Sequence, residues 1–310
     1  MTFQENVLLS QYSSYGIGGP ARYFKEISDE SDLKSAFEEI GRRKLPFFIL
    51  GGGTNILFSD KGFDGVVLKI SFSDLLLEES DKIRAGAGVL MTDLLDFALK
   101  NNLSGLEWAG GLPGTVGGAV RGNAGAFAGE TKDSILEIIS FDPESGRMNR
   151  RDREECRFSY RSSVFKEGGN REIVVAVRFS LRSGEKEIIE KAIKEKIDYR
   201  QERQPLEYPN SGSVFKNVDL RLMPPEHLKE VETVVKKDPF PVVPTAFLIS
   251  ECGLKGTRIG GAMISPKHPN FLINYDKATA ADIKALIALI KEKVYDKFGV
   301  KLEEEVLIFN

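Results

Sequence analysis

Glycine is concentrated in the first part of this chain, and that concentration limits how this part can fold. Twenty of the 30 glycines among 310 residues lie at or before Gly129, and nine of them fall within residues 105–129. Glycine weakens the interiors of helices and strands, and it is retained where the backbone turns sharply or approaches another group closely. The two densest glycine clusters are therefore the first candidates for a ligand site.

The first cluster is GGGTN, residues 51–55, which lies between two strand-like segments at residues 46–50 and 56–58. Consecutive small residues allow backbone N–H groups to point into one concavity that suits an anion, and Thr54 and Asn55 add side-chain donors. A tight turn is the ordinary alternative for an isolated triple glycine.

The second cluster is GGLPGTVGG, residues 110–118. Pro113 favours the first turn of a helix, yet Gly114, Gly117 and Gly118 would each destabilise that helix by up to ~1 kcal/mol relative to alanine. Close approach of a ligand or of another backbone is the usual reason for such glycines. Two loops of this kind suggest a cofactor that is held along its pyrophosphate.

Two common nucleotide motifs do not fit the sequence. Residues 16–21 (GIGGPA) match the dinucleotide fingerprint G-x-G-x-x-A. That fingerprint needs a strand before it and a helix after it, whereas here a polar stretch precedes the motif, Pro20 lies within it and a strand-like segment follows. The sequence also has no G-x-x-x-x-G-K-[ST] motif, so a P-loop ATPase or kinase is not expected.

Composition excludes several other classes of protein. The formal net charge is −3, which gives no electrostatic footprint for nucleic acid or an anionic membrane. With two cysteines and two histidines, a disulfide framework is excluded and no metal site is expected. No apolar run reaches the ~20 residues of a membrane-spanning helix, and the first ten residues lack a signal-peptide pattern. We expect a cytoplasmic protein that is a monomer or a weak oligomer.

The order of helical and strand-like patterns predicts an α+β protein with two large units. The division is expected at residues 198–199, giving a first module over residues 1–198, with sublobes of about 1–70 and 71–198, and a second domain over 199–310. Hydrophobic spacing predicts helices at residues 31–43, 92–101, 185–197 and 279–298, and strands at 46–50, 56–58, 66–70, 173–181 and 300–309.

Taken together, GGGTN, PGTVGGAV and GNAGA (residues 122–126) resemble the FAD-binding module of the vanillyl-alcohol-oxidase-like flavoproteins. Within that group they resemble the UDP-N-acetylenolpyruvoylglucosamine reductase family. The resemblance implies a two-lobed FAD-binding module and a C-terminal α/β substrate domain. It implies that the FAD diphosphate is held by Gly51, Gly52, Gly53, Thr54, Asn55, Pro113, Gly114, Thr115, Gly117 and Gly118, with Asn123 and Gly125 near the flavin.

Some flavoproteins of this group attach FAD through a histidine. No histidine precedes His227 in this chain, so we expect non-covalent FAD, with NADPH as co-substrate.

Three further motifs match the family, and each has a physical interpretation. Arg161 lies in FSYRSSVFK and offers a planar fork that suits a carboxylate. Ser213 and Asn217 lie in PNSGSVFKN, where two-residue alternation would place them on one strand face about 13 Å apart. Each motif alone fits an ordinary salt bridge or strand.

The third motif is a run of glutamates, residues 303–305, in the predicted C-terminal strand. Strict alternation places Glu304 among the apolar residues of one face, whereas the family pattern gives the functional role to Glu305. The two interpretations conflict unless a bulge or a solvated sheet end intervenes, and we follow the family pattern.

The resemblance implies that NADPH reduces FAD, that the flavin N5 delivers hydride to an enolpyruvyl double bond, and that Ser213 supplies the proton. Arg161 and Glu305 would stabilise the enolate-like intermediate, and Arg161 and Asn217 would bind the UDP-sugar substrate. The alternatives are another FAD-dependent oxidoreductase of an alcohol or hydroxy acid, or a flavin-binding protein without catalysis.

The spacing of Arg161 and Ser213 resembles the shorter subclass, which lacks a tyrosine loop. Residues 218–244 are longer than the link expected there and are interpreted as an insertion, and Lys255, Arg258 and His268 are candidates for the diphosphate end of the substrate.

Overall fold

The computed structural model describes residues 2–168, 172–238 and 240–309. The chain forms two compact units. The first contains residues 2–7, Ala21–Gly52 and Phe63–Arg200, and the second contains Leu8–Pro20, Gly53–Gly62 and residues 201–309.

Two short N-terminal segments thus belong to the second unit, although the sequence placed them in the first module. The reason is hydrophobic: Tyr15, Ile17 and Leu57 are buried in the core of the second unit. The predicted division at residues 198–199 treats each unit as one continuous segment, so it does not assign these two N-terminal segments to the second unit.

Across the described residues, the α-helices are α1 (Glu30–Arg43), α2 (Met91–Lys100), α3 (Val116–Arg121), α4 (Val164–Glu167), α5 (Lys186–Arg203), α6 (Leu228–Val231), α7 (Thr245–Glu251) and α8 (Ala280–Phe298). Short 3₁₀ helices lie at Leu9–Tyr12, Glu107–Ala109, Thr131–Ser134, Leu220–Leu222, Pro225–His227 and Glu232–Val234. None of the described helices is both long enough and apolar enough to cross a lipid bilayer.

The strands are β1 (Gln4–Leu8), β2 (Pro20–Ile27), β3 (Phe47–Leu50), β4 (Ile56–Leu57), β5 (Phe63–Ile70), β6 (Leu75–Glu79), β7 (Lys82–Gly86), β8 (Leu103–Ser104), β9 (Gly125–Ala126), β10 (Gly129–Glu130), β11 (Ile135–Asp142), β12 (Arg147–Asp152), β13 (Ile173–Ser180), β14 (Arg182–Ser183), β15 (Asn210–Ser213), β16 (Val218–Asp219), β17 (Val242–Val243), β18 (Arg258–Ile259), β19 (Ala262–Ile264), β20 (Phe271–Asn274) and β21 (Leu307–Ile308).

The first unit is built around two sheets. In the four-stranded sheet β1-β2-β5-β3, β2 and β3 both pair in parallel with β5, and α1 connects β2 to β3. The five-stranded sheet β12-β11-β13-β7-β6 is antiparallel throughout. Helices α1, α2 and α3 contribute Leu33, Leu94 and Val116 to the same buried core as the sheet residues Leu68 and Val177.

The second unit packs α7 and α8 with the antiparallel sheet β15-β20-β19-β18. Helix α8 confirms the sequence prediction at both ends. Thr279 caps its first turn and forms a capping box with Asp282, and Gly299 ends it in the left-handed conformation, at φ 67°.

Other predicted helices and strands differ from the structure at their ends or along their whole length. The helix predicted at residues 31–43 begins one residue earlier and ends as predicted, and the one predicted at 92–101 is shifted by one residue, whereas α5 continues to Arg203, past its predicted end. The predicted strand over residues 300–309 is wrong, because only Leu307–Ile308 forms a strand and Glu304 makes a single bridge with Phe215.

The segment that the sequence marked as an insertion, residues 218–244, is folded where the structure describes it; Pro239 lies outside the described residues. Strands β16 and β17 pair antiparallel and join its two ends. Met223 and Val231 are buried in the core of the second unit. The insertion is therefore anchored to this unit by apolar side chains.

Tyr15 gives a test of the second core. Its side chain is fully buried, and its hydroxyl has no hydrogen-bond partner among the described residues. A buried hydroxyl without a partner is unfavourable by about 1–3 kcal/mol. We therefore expect Tyr15→Phe to raise the free energy of unfolding by about 1 kcal/mol in denaturant titrations.

The control is Tyr295→Phe, at a tyrosine that is half exposed on α8, which should change the free energy of unfolding by less than about 0.5 kcal/mol. A loss of stability in Tyr15→Phe would show that the hydroxyl has a favourable partner.

Candidate active site

The two glycine clusters meet inside the first unit. A Cβ atom placed on Gly52 would lie 2.9 Å from Cα of Gly114, and one placed on Gly51 would lie 2.9 Å from Oγ1 of Thr115. A side chain does not fit at Gly52, so the two backbones can approach this closely only because residue 52 is a glycine. The two loops are therefore in direct contact, although about 60 residues separate them in sequence.

Thr115 supplies an unsatisfied donor at this contact. Its side chain is buried, and Oγ1 has no hydrogen-bond partner among the described residues. The next two amides are already used, because Val116 N donates to Val89 O and Gly117 N donates to Ala87 O. Since buried hydroxyls are normally hydrogen-bonded, the Thr115 hydroxyl is suited to donate to a ligand oxygen.

The remaining residues of the second cluster have varied positions. Helix α3 begins at Val116, so Pro113 precedes it and does not form its first turn as the sequence had suggested. A Cβ on Gly117 would lie 2.9 Å from Cβ of Ala87, so packing against Ala87 already explains this glycine. At Gly118 a Cβ would meet only Thr115 Oγ1, at 3.6 Å.

The last three residues of GGGTN belong to the second unit. Gly53 has a φ of 64°, and a Cβ there would overlap the carbonyl of Tyr12, so glycine is required. Thr54 is half-buried. Asn55 donates from Nδ2 to the carbonyl oxygen of Glu305 at 3.1 Å, which ties this motif to the C-terminal segment.

Asn123 connects two loops of the first unit. It is fully buried at a φ of 41°, its Nδ2 donates to Ser159 O at 3.0 Å, and its Oδ1 accepts from Lys132 N. The amide thus holds the GNAGA segment against the turn that carries Arg161. Its predicted place near the flavin remains a prediction.

Arg161 lies on a tight turn with an uncommon backbone conformation. Ser159 and Ser162 exchange two backbone hydrogen bonds, and Arg161 between them has a φ of 56°. Its Nη2 donates to Gly125 O at 2.9 Å, and Lys166 Nζ donates to its carbonyl. A non-glycine residue in the left-handed region needs such support, because the conformation is unfavourable by roughly 1–3 kcal/mol.

Arg200 is a buried arginine near the end of α5. Its Nε donates to Gly110 O at 2.8 Å, and its guanidinium lies over the ring of Phe127 at 5.3 Å. Burial lowers the pKa of Arg200, and its Nη2 has no partner among the described residues. Arg200 therefore anchors the start of the second glycine cluster, a contact that no sequence spacing indicates.

In the second unit, the backbone of Glu305 pairs with Val214, the residue that follows Ser213. The Val214 carbonyl accepts from Glu305 N at 2.7 Å and from Val306 N at 3.3 Å. Two residues of the C-terminal segment therefore lie opposite one residue of the serine segment, which is a β-bulge. This bulge replaces the continuous strand predicted for residues 300–309.

The bulge and two ion pairs distinguish the three glutamates. Glu303 forms an ion pair with Lys216, and Glu304 accepts from Lys291 Nζ at 2.8 Å. Glu304 is the charged residue that alternation placed among apolar neighbours, and Lys291 compensates its charge. A bulge interrupts the alternation of side chains along a strand, so alternation no longer decides which way Glu305 faces. This supports the family pattern, which gives the functional role to Glu305.

Ser213 and Asn217 do not share one regular strand face as predicted. Strand β15 ends at Ser213, and the next two residues, Val214 and Phe215, are both buried. The Asn217 Oδ1 atom accepts from Thr245 N at 3.3 Å, at the start of α7. Its role in substrate binding remains a prediction.

His268 is a poor source of positive charge. Burial, with smaller contributions from Lys236 and Lys255, lowers the pKa of His268 to about 4, so the ring is neutral at neutral pH. Among the described residues, no group of three or more His, Cys, Asp or Glu side chains could hold a metal ion. Both cysteines are free, and burial raises the pKa of Cys156 to about 12.

Comparisons with known proteins identify the family. Residues 21–149 match the model of an FAD binding domain, and residues 204–309 match the C-terminal domain of UDP-N-acetylenolpyruvoylglucosamine reductase. The reductase of Carboxydothermus hydrogenoformans is 40% identical over 303 residues, covering 97% of this chain and 92% of that protein. The reductase of Clostridium novyi is 36% identical and covers 98% and 91%.

The chain belongs to the UDP-N-acetylenolpyruvoylglucosamine reductase family. The crystal structure of the Thermus caldophilus reductase is 31% identical and superposes with a TM-score of 0.79, with all of both chains covered. These findings confirm the resemblance drawn from the motifs, and they confirm the α+β fold with an FAD-binding module and a C-terminal domain.

FAD fits the residues of the glycine contact. The close approach of Gly51 and Gly52 to Gly114 leaves a surface without side chains, and Thr115 Oγ1 is a buried donor that lacks a partner among the described residues. A phosphate oxygen is a suitable acceptor for such a hydroxyl. In this reductase family member, these residues would hold the diphosphate of FAD.

A substitution at Gly52 tests the contact. We expect Gly52→Ala to lower the FAD content of the purified protein at least about tenfold, because its methyl group would overlap Gly114 and separate the loops. The absorbance ratio at 450 and 280 nm measures this content.

The matched control is Gly41→Ala, on helix α1, where a Cβ would meet nothing within 4 Å. It should retain full FAD content. Equal FAD in the two variants would contradict a role for the glycine contact in cofactor binding.

Proposed function

We propose that this protein is an NADPH-dependent, FAD-containing reductase that converts UDP-N-acetylglucosamine enolpyruvate to UDP-N-acetylmuramate, a step in peptidoglycan precursor synthesis. Family membership supports the reaction class. The observation that supports the assignment of residues is the bulge at Val214, because it pairs the backbone of Glu305 with the residue that follows Ser213.

FAD, when bound, supplies the hydride that passes from NADPH to the enolpyruvyl double bond through the flavin N5. The protein must then supply a proton to the carbon beside the substrate carboxylate. Ser213 is proposed as that donor. A serine hydroxyl is a weak acid, so it needs a fixed position and a partner that stabilises the developing charge.

Glu305 is proposed to act beside Ser213. Two hydrogen bonds fix its backbone, because its N–H donates to Val214 O and its carbonyl accepts from Asn55 Nδ2, and Leu307 two residues later pairs with Ile56. Residues held in this way lose little entropy when they bind a reacting group, which is the basis of preorganisation.

Arg161 is proposed to bind the substrate carboxylate and to stabilise the enolate-like intermediate. A guanidinium can donate two parallel hydrogen bonds to a carboxylate. The supporting observation is its rigid setting, since the Ser159–Ser162 turn and the bond from its Nη2 to Gly125 O restrict its motion. Asn217 is proposed as a further substrate-binding residue.

We also propose a cytoplasmic location, because both cysteines are free thiols, as is typical of proteins from reducing compartments. The expectation of a monomer or weak oligomer stays a prediction.

Removing the Ser213 hydroxyl separates the two halves of the reaction. In Ser213→Ala we expect NADPH to reduce bound FAD at the wild-type rate, whereas reoxidation by the enolpyruvyl substrate slows by about 10²-fold or more, because general acid catalysis is lost. Anaerobic stopped-flow absorbance at 450 nm measures both half-reactions.

Ser211→Ala is the control, since this neighbouring hydroxyl bonds to Ile56 O and Ser14 Oγ within the second unit. It should leave both half-reactions intact. Normal reoxidation of Ser213→Ala by the enolpyruvyl substrate would contradict the assignment. Wild-type flavin that is reduced by an alcohol or hydroxy acid would favour the other class of oxidoreductase.

A further inference from the structure

Three consecutive glutamates create a problem of register in the second unit. Residues 303–305 have identical side chains, and a shift of the C-terminal segment by one residue would place Glu304 where Glu305 now lies. Backbone hydrogen bonds alone do not distinguish these residues, because every amide offers the same donor. Contacts made by the side chains must therefore fix which glutamate lies at the bulge.

Two lysines bind the first two glutamates and reach them from different elements. Lys216 follows the serine segment and pairs with Glu303, while its N–H donates to the Glu303 carbonyl. Lys291 lies on α8 and donates from Nζ to Glu304 Oε1 at 2.8 Å. The Glu304 pair therefore ties the residue before the bulge to a separate helix.

Helix α8 is a firm support for this contact. Ile287, Ile290 and Val294, which surround Lys291 in sequence, are all buried in the core of the second unit. The helix is capped at both ends. A lysine on this helix can hold Glu304 at a fixed position relative to the Val214 carbonyl. The position of the bulge matters because a bulge redirects the side chains beside it.

We propose that Lys291 is a positioning residue: through its ion pair with Glu304 it fixes the bulge at Val214 and so selects Glu305 as the glutamate beside Ser213. Its importance for catalysis rests on the function proposed above. Lys291 itself does not touch the reacting atoms, and its effect is transmitted by Glu304 and the backbone of residues 304–306.

The test compares Lys291→Met and Glu304→Gln with Lys293→Met. Lys293 lies two residues away on the same helix and pairs with Glu292 and Asp296, so its loss removes a similar charge without affecting Glu304. We expect the first two variants to slow flavin reoxidation by the enolpyruvyl substrate by about two- to fivefold, the range of a partly exposed ion pair. Reduction of FAD by NADPH and thermal stability should match the Lys293→Met control.

A second measurement does not depend on turnover. Amide hydrogen exchange at Glu305 and Val306, whose N–H groups both bond to Val214 O, should be faster by the same two- to fivefold in Lys291→Met than in Lys293→Met. The charge-exchanged double variant Lys291→Glu/Glu304→Lys should restore both the exchange rates and the half-reaction.

Unchanged exchange and unchanged reoxidation in Lys291→Met would overturn the proposal, and so would equal losses in Lys293→Met. If the wild-type protein itself fails to reduce the enolpyruvyl substrate, the proposed function fails, and amide exchange still decides whether Lys291 fixes the bulge.

Discussion

The close contact between the backbones at Gly52 and Gly114 is the constraint on which the first unit depends. A single methyl group on Gly52 would lie 2.9 Å from Cα of Gly114, so the two loops can meet only where side chains are absent. The contact buries Thr115 and leaves its hydroxyl without a partner among the described residues. The same feature that constrains folding therefore creates a surface suited to a diphosphate.

Neighbouring residues support this arrangement from several directions. Arg200 bonds to Gly110 at the start of the second cluster, and Asn123 ties the following segment to the turn that carries Arg161. Asn123, Phe127, Ala128 and Arg161 all have positive φ angles. Conformations of this kind persist only where surrounding contacts enforce them, and they are common near functional sites. Asn123 and Arg161 thus place part of the unfavourable backbone geometry beside the proposed site.

In the second unit a β-bulge, rather than a regular strand, positions the backbone of Glu305, whose carboxylate we propose to act beside Ser213. The bulge places two residues opposite Val214, and ion pairs to Lys216 and Lys291 hold the glutamates that precede it. The bulge and the two ion pairs thus act together to place Glu305, one of three consecutive glutamates, opposite Val214.

Sequence alone predicted those features whose signals are local. Helix α8 followed from its apolar spacing, its Thr279 cap and its Gly299 stop, and the glycine loops followed from composition. A bulge was one way to reconcile the two interpretations of the glutamates, but its position at Val214 could not be predicted, because it depends on pairing between segments about 90 residues apart in sequence. For the same reason, the packing of Tyr15 into the second core and the contact of Arg200 with Gly110 had no signal in residue spacing.

The most direct test of the account is an anaerobic stopped-flow experiment on the wild-type protein. The purified protein should be yellow, its 450 nm absorbance should fall when NADPH is added, and the absorbance should return when UDP-N-acetylglucosamine enolpyruvate follows. A colourless protein, or a reduced flavin that this substrate does not reoxidise, would contradict the central claim.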